Sequence, residues 1–186
     1  YHRNFQGYTE VKRLDANGRQ IIERIYTGKY YEPVLDPVRL LRLRFVYVVF
    51  FLASVALFLF CATRRVVCNT VIYVIVPQGL SVILLLWCLY VLVFYLPTRA
   101  RLPIGDYDTL HKPLIRSSLL SACSLWACAL ACLLCFFLSP ELRTVKDLLC
   151  AAGNALSGCF IFVLHFLESH LEYRVVDNET PMTEDG

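Results

Sequence analysis

Val71–Leu96 reads VIYVIVPQGLSVILLLWCLYVLVFYL, 26 residues without a charge. A helix that crosses a bilayer needs about 20 apolar residues, and at ~1.5 Å per residue this stretch measures about 39 Å, enough to tilt, bend or protrude. Its interior departs from plain hydrocarbon at Pro77-Gln78-Gly79-Leu80-Ser81. The chain therefore has to be read as a membrane protein, and every other segment is placed relative to this span.

Three further blocks approach or exceed the same length: Phe45–Thr63, Ser117–Leu138 and Leu148–Leu167. They account for a composition that is 58% apolar or aromatic, with a mean hydropathy of +0.56. Soluble domains sit nearer 45–50%, and the surplus is expected to face lipid. The chain opens on Tyr1-His2-Arg3-Asn4 and stays polar for some forty residues, so no cleavable signal is expected.

Cations near the span ends orient the bundle. Arg39, Arg42, Arg44, Arg99, Arg101, Lys112, Arg116 and Arg174 fall on one side, and Arg64, Arg65, Arg143 and Lys146 on the other. Eight against four places both termini in the cytoplasm of a multi-pass cell-membrane protein, although the Arg64-Arg65 pair pulls the other way. Arg39, Arg42 and Arg44 recur among leucines ahead of the first span, the pattern of an interfacial lead-in that touches anionic headgroups.

Before the spans, GYTEVKRL and RQIIERIYTG flank Asp15-Ala16-Asn17-Gly18 and predict a β-hairpin between Phe5 and Tyr31. A lone hairpin is marginal in water, so this one is expected to lean on the bilayer, the cytoplasmic loops or a partner. The short first connection predicts that spans one and two are antiparallel neighbours. Asp108 or Thr109 is expected to cap the third helix, and the fourth to start after Ser139-Pro140-Glu141 and run on as far as Tyr173. The third span is rich in Ser, Ala and Cys, which permit close packing and predict a central position. Gly79 is expected to admit a neighbouring helix closely. The fold class is thus an all-α membrane protein: a four-transmembrane-helix bundle with a small N-terminal cytoplasmic β-hairpin. Its parts are a polar arm (1–37), the four-helix domain (38–173) and a disordered acidic tail (174–186).

Three constellations carry the chemistry. Gln78-Gly79-Leu80-Ser81 is echoed by Asn154-Ala155-Leu156-Ser157 in the fourth span, 76 residues later. As a parallel repeat, the two carboxamides would line a polar path between hairpins. As plain packing, Gln78, Gly79, Ser81, Asn154, Ala155 and Ser157 are interhelical glue, the commoner use of uncharged polar groups in lipid. Cys132 and Cys135 form a C-x-x-C toward the outer end of the third span, near Cys61, Cys68 and Cys150, an arrangement similar to four-helix thiol oxidoreductases. Among leucines and phenylalanines such thiols are ordinarily inert hydrophobes. His165, Glu168 and Glu172 share one face of the extended fourth helix, close in sequence to His170 and opposite a loop with Asp106, Asp108 and His111. That spacing suits a divalent metal, or simply a solvated helical stem. No span carries an acid or base near its middle, which argues against an ion-coupled pump.

No phosphate loop, nucleophile elbow, dinucleotide fingerprint or zinc spacing is present, so neither an enzymatic reaction nor a cofactor is indicated. Basic residues follow the membrane borders, and nucleic acid is not an expected partner. The layout of a GYTEV…NG…YTG hairpin, four spans and an IGDYD loop resembles small four-span bacterial membrane proteins without an assigned role. That resemblance implies the architecture and carries no activity across. The expected partners are the lipid bilayer and another membrane protein or a second copy. The leading reading is an interaction or accessory subunit, followed by a channel or facilitator for a neutral solute, and then by a membrane thiol oxidoreductase.

Overall fold

A computed structural model describes residues 8–14, 20–26, 28–98, 101–138 and 144–177. Four helices in it are long and apolar enough to cross a membrane: α1 (Pro37–Ala62), α2 (Ile72–Tyr95), α3 (Ile104–Leu138) and α4 (Val145–Ser169). Together they form a helical bundle of the kind a multi-pass membrane protein has. Each predicted span lies within or closely overlaps one of them, with differences at the ends. Asp36-Pro37 starts α1 with proline in the first turn, where its missing N–H costs nothing, so the arginine lead-in is already helical. α3 begins at Ile104, thirteen residues ahead of the predicted span. Asp108 and Thr109 therefore lie inside the helical run instead of capping it, with Asp108 paired to Lys112 at 2.6 Å and Thr109 bonded to the Gly105 carbonyl at 2.7 Å. The expected start of the fourth span at Ser139–Glu141 lies outside the described residues. The cap of α4 is Thr144, which forms a reciprocal capping box with Asp147.

Packing departs from chain order. α3 lies against both α2 and α4, and α1 packs on α4. The central place of the small-residue third helix is as expected, and its apolar window is the most buried of the four. Sequential helices α1 and α2 do not run against each other as close backbone neighbours. They share a core of side chains (Tyr47, Phe51 and Phe58 from α1; Leu85, Cys88, Leu92 and Tyr95 from α2) completed by Leu114, Leu125, Ile161 and Leu164. The reason lies in residue size. A Cβ placed on Gly153 would collide with the Cys61 sulfur, so α4 offers α1 a groove for close approach. Gly79, by contrast, has no atom within 4 Å of where a Cβ would stand, and the expected close approach there does not occur.

Among the described residues five strands accompany the bundle. β1 (Tyr8–Leu14) and β2 (Gln20–Tyr26) pair antiparallel, with Tyr8 opposite Tyr26 and Leu14 opposite Gln20. The predicted hairpin is thus present as a ribbon, while its Asp15–Gly18 turn lies outside the described residues. A second sheet, unforeseen in the sequence, has the order β4–β3–β5, from β3 (Tyr30–Pro33), β4 (Leu102–Pro103) and β5 (Tyr173–Val176). β3 pairs antiparallel with both neighbours, Tyr31 facing Leu102 on one side and Val175 on the other. α4 accordingly ends at Ser169 and does not run on to Tyr173. Residues 174–176 belong to a strand; the rest of the predicted tail from 178 lies outside the described residues.

Candidate functional site

At the sheet end of the bundle, Glu168 is wholly buried in the last turn of α4. A carboxylate removed from water must be paired and hydrogen-bonded to persist, and here α1, α3 and β5 each supply a partner. Nδ1 of His111 from α3 stands 2.5 Å from Oε1, and the Tyr47 hydroxyl of α1 donates to Oε2 at 2.7 Å. The Tyr173 hydroxyl of β5 donates to Oε1 at 3.4 Å and meets the Tyr95 hydroxyl of α2 at 2.9 Å. The Tyr47 and Tyr173 phenols both donate toward the Glu168 carboxyl group. The four helices and the sheet converge on one side chain.

The backbone brings these groups together by a local irregularity. Residues Tyr107–His111 of α3 form a π-helical turn, whose wider spacing re-aims side chains and turns the nearly buried His111 into the bundle. The Tyr31 ring stacks on Tyr107 at 4.1 Å and 12°, Tyr107 on His111 at 4.6 Å, and Tyr173 meets the His111 ring edge-on at 4.7 Å. Burial, and then the Glu168 charge, push the Tyr173 phenol well above its ordinary ionisation range. Alongside, the Arg44 guanidinium donates to the carbonyls of Leu96 and Thr98 at 3.0 and 2.7 Å, closing the C-terminus of α2 with the charge its dipole favours.

The amide–small–Leu–Ser echo resolves into separate contacts. Ser81 bonds Ser124 at 3.1 Å and Cys128 at 3.3 Å, docking α2 on α3. Ser157 bonds Ser54 at 2.8 Å, docking α4 on α1. Gln78 donates to Asn69 of the first connection at 2.8 Å, whereas Asn154 donates to the Cys132 sulfur at 3.8 Å. The Ala155 carbonyl accepts the Trp126 indole N–H at 3.3 Å. The two carboxamides thus have different partners, one in the first connection and one on α3.

At the opposite end lies a cluster of thiols. Cys61, Cys68, Cys132, Cys135 and Cys150 share a small core with Val66, Val74 and Ala151, and all nine cysteines are free. In this core the Cys132 sulfur accepts the Asn154 amide N–H at 3.8 Å. The neighbouring Cys132 thiol, then burial and the nearby Asp147 charge, raise the Cys68 thiol far above its usual range, so it stays protonated. Asp147 is itself buried, bonded to Thr144 and accepting the Cys68 backbone N–H at 3.1 Å.

The expected metal face comes apart in three dimensions. Glu168 points into the bundle, His165 is bonded to the Ile115 carbonyl at 3.0 Å, and Glu172 is exposed. Among the described residues no group of three or more His, Cys, Asp or Glu side chains could hold a metal ion. Glu168 and His111 do meet, as a pair. Tyr47, Tyr95 and Tyr173 carry no motif in the sequence that marks them as partners of one carboxyl group. No protein-family model, curated protein or solved structure matches the chain.

Proposed function

We propose that this chain is an accessory subunit of the cell membrane that holds a partner protein through the β1–β2 ribbon at its sheet end. The observation that carries the reading is the ribbon's pairing: among the described residues β1 and β2 form a two-stranded sheet of their own, apart from β4–β3–β5. Two strands alone are marginally stable, and both their outer edges present unpaired backbone groups, the template for adding a strand from another chain. Next along the chain comes β3, which is anchored on the bundle by β4, β5 and the Tyr31–Tyr107 stack. In this reading the sheet end and both termini are cytoplasmic, in keeping with the excess of Arg and Lys there. The partner is another membrane protein or a second copy of the chain.

The facilitator and oxidoreductase readings have less support. Serine and cysteine contacts occupy the helix seams where a solute path would run. Cys132 and Cys135 are buried free thiols in an apolar core, where thiols are ordinarily inert. The test is extraction in mild detergent followed by sizing and identification of co-isolated chains. The full chain should emerge bound to a partner or to itself, and replacing residues 8–26 with a Gly/Ser linker of equal length should release it. A monomer that co-isolates with nothing removes the basis for the proposal.

A further inference from the structure

At the end of the bundle opposite the sheet, the chain leaves α1 through Thr63-Arg64-Arg65 and re-enters the core at Val66 and Cys68. A cavity of about 530 Å³ opens between this turn and the first turns of α4. Its rim carries Arg64, Arg65 and Lys146, and its lipid-side wall is made by Phe60 and Leu149, which are 55% and 64% exposed. Among the described residues no carboxylate lines it. Asp147, next to Lys146 in the chain, is buried and spent on Thr144 and on the Cys68 N–H. Among the described residues none of the three cations forms an ion pair.

The cation positions are held in place. Asn69 Nδ2 donates to the carbonyls of Cys61, Ala62 and Arg64 at 2.9, 3.2 and 2.9 Å, fixing the backbone of the turn. The Arg64 guanidinium lies over the Phe60 ring at 4.1 Å from its centroid, which limits its freedom before any ligand arrives. Three like charges held around one opening repel each other unless an anion joins them. Because the cavity sits at the ends of spanning helices, with an apolar wall open to lipid, the anion within reach is one attached to acyl chains. We infer that this cavity binds the phosphate of an anionic phospholipid headgroup, with Arg64, Arg65 and Lys146 around the phosphate and Phe60 and Leu149 against the glycerol and upper acyl chains. This also accounts for the Arg64-Arg65 pair, which runs against the charge bias that orients the rest of the chain.

The test uses the full chain in neutral detergent, read by native mass spectrometry with phosphatidylglycerol and phosphatidylcholine of matched acyl chains. Phosphatidylglycerol should give a saturable one-to-one adduct, and phosphatidylcholine should bind at least about tenfold more weakly. The triple variant Arg64→Gln/Arg65→Gln/Lys146→Gln should lose about tenfold in affinity. A control of equal charge loss at the other end, Arg39→Gln/Arg42→Gln/Arg116→Gln, should lose less than about threefold. Equal binding of the two lipids, or equal losses in both triple variants, would overturn the site. Displacement of the lipid by millimolar inorganic phosphate would assign the cavity to a soluble anion and overturn the headgroup assignment. Should the triple variant fail to fold, as judged by loss of Cys68 protection from alkylation, the exposed Lys146→Gln alone should still weaken binding about threefold, and no change there would count against the proposal.

Discussion

Replacing Glu168 with leucine should destabilise the bundle by about 2–6 kcal/mol. The substitution puts an apolar side chain of similar length in place of the carboxyl group, so the loss is in hydrogen bonding. It leaves the buried His111 ring nitrogen without its partner at 2.5 Å, at about 1–3 kcal/mol for an unsatisfied buried polar group. It also strands the Tyr47 hydroxyl, bonded at 2.7 Å, at about 1–3 kcal/mol for an unsatisfied buried donor. Tyr173, at 3.4 Å, adds little, because it retains Tyr95 at 2.9 Å. Against a total stability of about 5–15 kcal/mol, this is a large share of what holds a domain together. Glu168→Gln keeps an acceptor oxygen and should cost roughly half as much. The measurement is denaturant titration in mixed micelles, followed by Trp87 and Trp126 fluorescence and by alkylation of Cys88, which is fully buried in the same core. A double-mutant cycle with Tyr47→Phe isolates the pairwise contribution. The reasoning is refuted if Glu168→Leu unfolds within about 1 kcal/mol of the native chain, or if the cycle shows no coupling.

Gly153→Ala should destabilise by about 1–3 kcal/mol, because its methyl would meet the Cys61 sulfur, while Gly79→Ala should be neutral or slightly stabilising in open space; the same titration compares them. Thr144→Ala removes the capping hydroxyl of α4 and should cost about 1 kcal/mol, with faster alkylation of Cys68 as its local sign. The Tyr173 phenol is raised in the folded state, so its contribution to stability is complete below the unfolded value near pH 10 and declines as pH rises toward the folded one. Tyr173→Phe should flatten the alkaline stability profile, and an unchanged slope would contradict that assignment.

The four spans were legible because uncharged blocks of twenty residues have few alternatives to crossing lipid. The central place of α3 was legible because its Ser, Ala and Cys content lets two helices approach it. What escaped depended on pairing between distant residues. The short link between α1 and α2 suggested neighbours, yet Gly153 draws α1 to α4, and a glycine in a sequence does not name the sulfur that will rest on it. The β4–β3–β5 sheet escaped because its strands are two to four residues long and join segments more than seventy residues apart. Glu168 looked like one face of a solvated stem, since helical spacing sets it beside His165 and Glu172. Its actual partners at 47, 111 and 173 come from three other elements. The carboxamide echo was readable as a pattern, but its two halves face different helices, so the likeness of letters does not extend to a likeness of contacts.

The aromatic file beside the buried carboxylate links parts of the molecule in series. Tyr31 in β3 rests on Tyr107, Tyr107 on His111, and His111 on Glu168. Tension applied to β3 at Tyr31 reaches the buried Glu168 carboxyl group after three side-chain contacts. No slack loop intervenes between Tyr31 and that group. The strand cannot peel away without parting the rings, and His111 cannot turn without disturbing them. The sheet end is thus built as a short rigid linkage, in which a pull at the surface and the fit of the four helices are one mechanical degree of freedom.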